Sequence, residues 1–141
     1  ACPIVRPTEA PATFRALAAA IARGLVRACH DCSEGGLAVA AAEMAFAGGL
    51  GMDLYTMTAP RPAEVDRDDT ILFSESNSRF LVEVEPERTD AFEAALKGVA
   101  CAPLGRITAE PVFHVRGLKG RTIIRENIAA LKEAWQKTLR W

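Results

Sequence analysis

No apolar run in the 141-residue chain reaches the length that spans a bilayer, and the first residues lack the basic-then-apolar pattern of a signal peptide. Nor is there a basic stretch with interleaved aromatics. Lys and Arg number 17 against 18 Asp and Glu, a net charge of −1, which argues against a nucleic-acid surface but leaves room for a small anion. Four cysteines are too few and too scattered for a disulfide scaffold in a domain of this size. Cys29 and Cys32 form a C-x-x-C pair without a second pair or a thioredoxin-like strand before it, so inert thiols are expected. Internal repeats, a glycine-rich phosphate loop with lysine, and a recognisable ammonia-producing Cys-His-Glu set are all missing. These absences lead to the expectation of a cytoplasmic protein with no membrane and no nucleic-acid partner. The chain opens on Ala1-Cys2-Pro3, and Pro3, Pro7 and Pro11 make residues 1–11 read as a linker. A piece of a longer polypeptide is therefore expected, with its domain at residues 12–141.

Half of the residues are apolar and a quarter charged, the balance of a globular domain able to bury a core. Phe14, Leu17, Ala18, Ile21 and Leu25 recur at helical spacing and predict a helix over residues 12–24. Residues 26–30 read as a short extended segment. Residues 36–47 predict a helix that is apolar nearly all round, with Glu43 its one charge, and hence buried on most sides. Met52 and Leu54 suggest a strand, followed by a Pro-rich acidic loop over residues 59–69 that composition makes exposed and mobile. Residues 70–73 read as a short strand. Phe80, Val82 and Val84 alternate as a clearer one. Pro86 opens a helix that Gly98 closes. Strands at residues 104–107, 112–115 and 122–124 follow, the last two joined by a turn at residues 117–120. A terminal helix carries Ile128, Leu131, Trp135 and Leu139 on one stripe. The order predicts an α+β domain whose mixed sheet is covered by helices.

Two polar interruptions carry the candidate chemistry. In Cys29-His30-Asp31-Cys32-Ser33-Glu34-Gly35-Gly36, an acidic turn runs into two glycines and straight into a helix. Glycines leave backbone N–H groups approachable at a helix start, where the dipole favours an anion. Asp31 suits a hard cation such as magnesium; equally, Asp31 or Ser33 simply caps a buried helix whose glycines allow close packing, and no ligand is needed. His30 could donate to a phosphate or a carbonyl, or be structural. The second interruption, Glu75-Ser76-Asn77-Ser78-Arg79, either presents ligand-binding side chains or forms a turn whose hydroxyls satisfy backbone groups. Arg79 could bind a phosphate bidentately or pair with Glu43 or another acid. His114 lies in an apolar strand pattern and reads as structural, and Trp135 and Trp141 read as core and tail rather than as a base-stacking platform.

Together, His30-Asp31-Cys32-Ser33-Glu34-Gly35-Gly36-Leu37-Ala38 and Phe73-Ser74-Glu75-Ser76-Asn77-Ser78-Arg79 resemble the C-terminal domain shared by aminoimidazole ribonucleotide synthetase and its relatives. Within that superfamily the pair is similar to phosphoribosylformylglycinamidine synthases, over residues 12–140. The resemblance implies a three-layer α/β/α domain with a mixed sheet, present twice in such a synthase, this chain being like the second copy. It implies an ATP-dependent ligase of purine biosynthesis, converting formylglycinamide ribonucleotide to the formylglycinamidine with glutamine-derived ammonia. ATP and Mg2+ are the implied cofactors. Asp31 is the implied metal ligand, and His30, Gly35, Gly36, Glu75, Ser76, Asn77, Ser78 and Arg79 the implied substrate or nucleotide contacts. The implied partners are the remaining domains of the synthetase chain, a glutaminase subunit and a small accessory subunit. The alternative is a non-catalytic scaffold that braces a pseudo-symmetric nucleotide site and docks subunits. In either case the isolated fragment is expected to be inactive.

Overall fold

A computed structural model describes residues 6–137; Cys2, Pro3, Leu139 and Trp141, which figure in the sequence reading, lie outside them. Helix α1 (Glu9–Ala22) begins three residues before the predicted start, inside the expected linker. Pro11 is no obstacle there, because first-turn N–H groups have no intrahelical partner. Its C-terminus is closed by Gly24 N–H to the Ile21 carbonyl and Leu25 N–H to the Ala20 carbonyl. Strand β1 (Ala28–Asp31) then leads into helix α2 (Gly36–Gly48), and strand β2 (Gly51–Tyr55) follows it.

The predicted loop over residues 59–69 is tied down rather than loose. Arg61 donates to the carbonyls of Thr56, Met57, Ala59 and Val65. Asp68 Oδ1 accepts both the Thr56 hydroxyl at 2.6 Å and the Leu118 N–H at 2.8 Å, pinning the loop's end to the turn at residues 117–120. The strand expected at residues 70–73 is instead helix α3 (Asp68–Phe73). Four residues, three of them apolar, cannot distinguish the two periods. Asp68 and Asp69 decide it by placing acids in the first turn, where Asp69 Oδ1 accepts the Thr70 N–H at 2.7 Å.

Strand β3 (Phe80–Glu83), helix α4 (Thr89–Ala95), strands β4 (Gly105–Thr108), β5 (Val112–Arg116) and β6 (Thr122–Asn127), and helix α5 (Ile128–Lys137) complete the chain. The expected mixed sheet is divided in two. β1 pairs antiparallel with β3, while the larger sheet runs β4-β2-β5-β6, with β2 parallel to β5 and its other pairs antiparallel.

Alternation along β3 explains how the pieces stack. Leu81 packs into the main core with Leu37, Ala41, Met52, Leu54, Leu72, Phe113, Val115 and Ile128. Val82 and Val84 pack on the other side, against Ala20, Leu25, Phe92 and Leu96 of the α1–α4 layer. The small sheet thus lies between α1/α4 and α2, and the inner face of the larger sheet closes over α2. Helix α2 is buried by α3, α5 and both sheets, which is why its sequence is alanine-rich and apolar everywhere but at Glu43. The fold is α+β, and it delivers the end of β1 and the start of α2 to one edge of the molecule.

Candidate functional site

Asp31 is the last residue of β1, opposite Phe80, and the ladder continues one step as Cys32 N–H donates to the Arg79 carbonyl at 2.9 Å. That step locks the acidic turn to the end of the Glu75–Arg79 segment. The Asp31 side chain is 62% exposed. Its Oδ2 accepts a short hydrogen bond from the Ser33 hydroxyl, which holds the carboxyl below the ordinary carboxylate range. His30 is half-buried. Its Nδ1 meets the Asp31 carbonyl at 2.7 Å, and its Nε2 meets Glu43 Oε2 at 3.0 Å. A cleft of about 370 Å³ opens here, lined by His30, Asp31, Ser33, Glu34, Ala40 and Glu43.

The glycines do a different job from the one expected of a bare phosphate cradle. Gly36 has φ +63°, and a Cβ there would come within 2.6 Å of the Ser74 carbonyl oxygen and 2.8 Å of the Leu72 carbonyl oxygen. The start of α2 is pressed against the C-terminal backbone of α3. Gly35 N–H donates to Glu75 Oε1 at 3.0 Å, so a carboxylate of this chain already sits where the dipole favours an anion.

The rest of the second segment is split. Ser76 and Asn77 are exposed in the turn leading to β3, and Ser78 holds a left-handed φ of +62°. The Arg79 guanidinium points inward: Nη1 donates to the Ser74 carbonyl and hydroxyl at 3.1 and 2.9 Å, and Nη2 to the Ile71 carbonyl at 3.1 Å. The acid considered for it, Glu43, pairs with His30 instead and also accepts the Trp135 indole N–H at 2.8 Å. The structure therefore gathers His30 and Asp31 at the cleft, Gly35, Gly36 and Glu75 at the helix start, and Arg79 behind them. Ser33, Glu34 and Glu43 line the cleft although none of them was expected as a site residue. Glu43 was visible as the lone charge on α2.

Among the described residues no group of three or more His, Cys, Asp or Glu could hold a metal ion. Asp31 offers one carboxylate, which fits a magnesium ion that takes its other oxygens from phosphates and water. Cys29, Cys32 and Cys101 are free, and burial pushes all three thiols up, away from the thiolate form.

A second polar constellation went unnoticed in the sequence. Arg106, Asp53, His114 and Arg125 form one row across β4-β2-β5-β6, on the face opposite the core. Asp53 is buried. Its Oδ2 accepts the Tyr55 hydroxyl at 3.0 Å, and its Oδ1 lies 3.0 Å from His114 Nδ1 without hydrogen-bond alignment. Arg116 lies over the Tyr55 ring. This network explains His114 as a structural residue.

An α+β domain with a glycine-started buried helix, joined by hydrogen bonds to a Glu-Ser segment, defines the domain class. Residues 2–117 match the family described as AIR synthase related protein, C-terminal domain, and the chain belongs to that family. It is 40% identical over 121 residues to phosphoribosylformylglycinamidine synthase subunit PurL of Moorella thermoacetica, covering 84% of this chain and 15% of that protein. The corresponding protein of Deinococcus radiodurans is 38% identical over 122 residues, covering 86% and 16%. The chain thus spans about 15% of the length of these relatives. Among solved structures, Thermotoga maritima PurL complexed with FGAR superposes with a TM-score of 0.81 at 21% identity, covering 91% of this chain and 21% of that one. The same protein complexed with ATP gives 0.77 at 22% identity, covering 85% and 21%. These likenesses show the fold.

Proposed function

We propose that this chain is the C-terminal domain of an ATP-dependent ligase of purine biosynthesis that converts formylglycinamide ribonucleotide into the formylglycinamidine ribonucleotide. The reading is carried by the hydrogen bond from Gly35 to Glu75, which joins the two motifs of the resemblance into one structural unit beside an open cleft. The 40% identity to a synthase subunit supports the same reaction class. In that reaction ATP activates the amide oxygen and ammonia from glutamine displaces the phosphate. Asp31 would supply a carboxylate oxygen to magnesium at the phosphates. His30, whose two ring nitrogens face the Asp31 carbonyl and Glu43, would form the wall of the same rim. Glu75 and the two glycines fix the turn that presents them. Ser76, Asn77 and Ser78 remain candidates for ribonucleotide contact, since their turn is open to solvent on at least two positions.

The sealing of Gly36 against α3 and the inward commitment of Arg79 favour a second reading, in which this copy braces a pseudo-symmetric nucleotide site rather than carrying the chemistry. One related structure is of a PurLQS assembly, so a glutaminase subunit and a small accessory subunit are proposed as partners in the cytoplasm. No helix among the described residues is long and apolar enough to cross a membrane. Amidine formation separates the proposal from its failure. The polypeptide that carries this domain is expected to make the product from formylglycinamide ribonucleotide, ATP and ammonia, and the 141-residue chain alone neither to do so nor to hydrolyse ATP. Turnover by the chain alone would relocate the whole site.

A further inference from the structure

We propose that Glu43 is a positioning residue of the cleft, coupling helix α5 to the orientation of His30. A carboxylate on the apolar helix α2, its side chain only 24% exposed, is costly unless each oxygen finds a partner. Glu43 has two. Oε1 accepts the Trp135 indole N–H at 2.8 Å, and Oε2 meets His30 Nε2 at 3.0 Å. The indole, expected from the sequence to be core, is half exposed and packs on one side against Phe46, ring centroids 5.8 Å apart. Tryptophan has only two side-chain torsions, so a rigid ring fixes one carboxylate oxygen and thereby aims the other.

His30 then has its ring set between two acceptors, the Asp31 carbonyl at Nδ1 and Glu43 Oε2 at Nε2, which both accept from it when the ring carries both protons. The His30–Glu43 pair is also the wall between the polar cleft and an apolar groove of about 490 Å³ lined by Cys29, Met44, Phe46 and Trp135 among others. If the pair lets go, the cleft loses that wall as well as the histidine's direction. Trp135 is therefore part of the site's framework although it touches neither Asp31 nor the turn. The inference rests on the cleft being a ligand site only for its second readout.

The test uses Trp135→Phe, which keeps the aromatic packing and removes the N–H, and Glu43→Gln. In the ligand-free chain, three-bond couplings of His30 report whether its ring holds one rotamer. The expected result is one rotamer in the wild type and averaging in both variants, with unfolding midpoints lowered by no more than the loss of one hydrogen bond. Affinity for magnesium-ADP should weaken about three- to tenfold, the scale of one lost hydrogen bond. A His30 rotamer unmoved in both variants overturns the inference. If the wild type binds no magnesium-ADP in any context, the proposed function fails, and the rotamer measurement still decides the role of Glu43.

Discussion

Gly36 shows how one residue sets the geometry of the turn. Its positive φ and the carbonyl oxygens of Leu72 and Ser74 leave no room for a side chain. Gly36→Ala should cost at least about 2 kcal/mol, since left-handed backbone and steric overlap act together. Gly49 is the control. It has φ +70° with nothing within 4 Å of a built Cβ, so Gly49→Ala should cost about 1 kcal/mol from backbone strain alone. Urea unfolding of the two variants checks the difference, and equal losses would mean that α3 yields to the added methyl. The glycine pair was legible in the sequence as a helix start open to close approach, but what approaches was not. The sequence left a ligand and a packed neighbour equally open, and the structure puts a backbone against Gly36 and the Glu75 carboxylate on Gly35. Glu43 carried a usable signal, being the single charge on an apolar helix. Asp53 carried none, because its partners come from three strands that only the sheet brings into register.

At the scale of elements, the periodic segments and the short strands at residues 104–107, 112–115 and 122–124 were readable, and the six-residue α3 was not. β3 followed from its alternation, and α2 from its length and composition. α3, with six residues, takes its helical form from acids at its start and from Arg79 at its end, and that guanidinium arrives from beyond the next turn. Arg79 satisfies the Ile71 and Ser74 carbonyls, which lack partners at a helix C-terminus. Arg79→Lys keeps the charge but cannot reproduce a fork donating to two carbonyls. It should destabilise the domain by about 1.5–3 kcal/mol, the range for hydrogen bonds from a charged donor. Hydrogen exchange should show faster opening at residues 71–74 than in α2. Uniform exchange across the domain would mean that Arg79 serves the phosphate role and not the cap.

For the whole molecule, the division of the sheet was invisible in the sequence, because the order of strands does not state which ones pair. Its consequence is the geometry of the candidate site. β1 and β3 form their own ribbon, so the Asp31 turn and the end of the Glu75–Arg79 segment are neighbours by hydrogen bonding rather than by chance of packing. The central claim is that the rim they share, with Asp31 foremost, holds the metal–phosphate end of a nucleotide. Its most direct test is magnesium–nucleotide affinity measured on the polypeptide that carries this domain, for the wild type and for Asp31→Asn. Asp31 is mostly exposed, so the unfolding midpoint should stay nearly where it is. The affinity should fall about tenfold or more, as when a metal site loses an anchoring group. An affinity unchanged by Asp31→Asn would contradict the claim and leave the rim a structural turn.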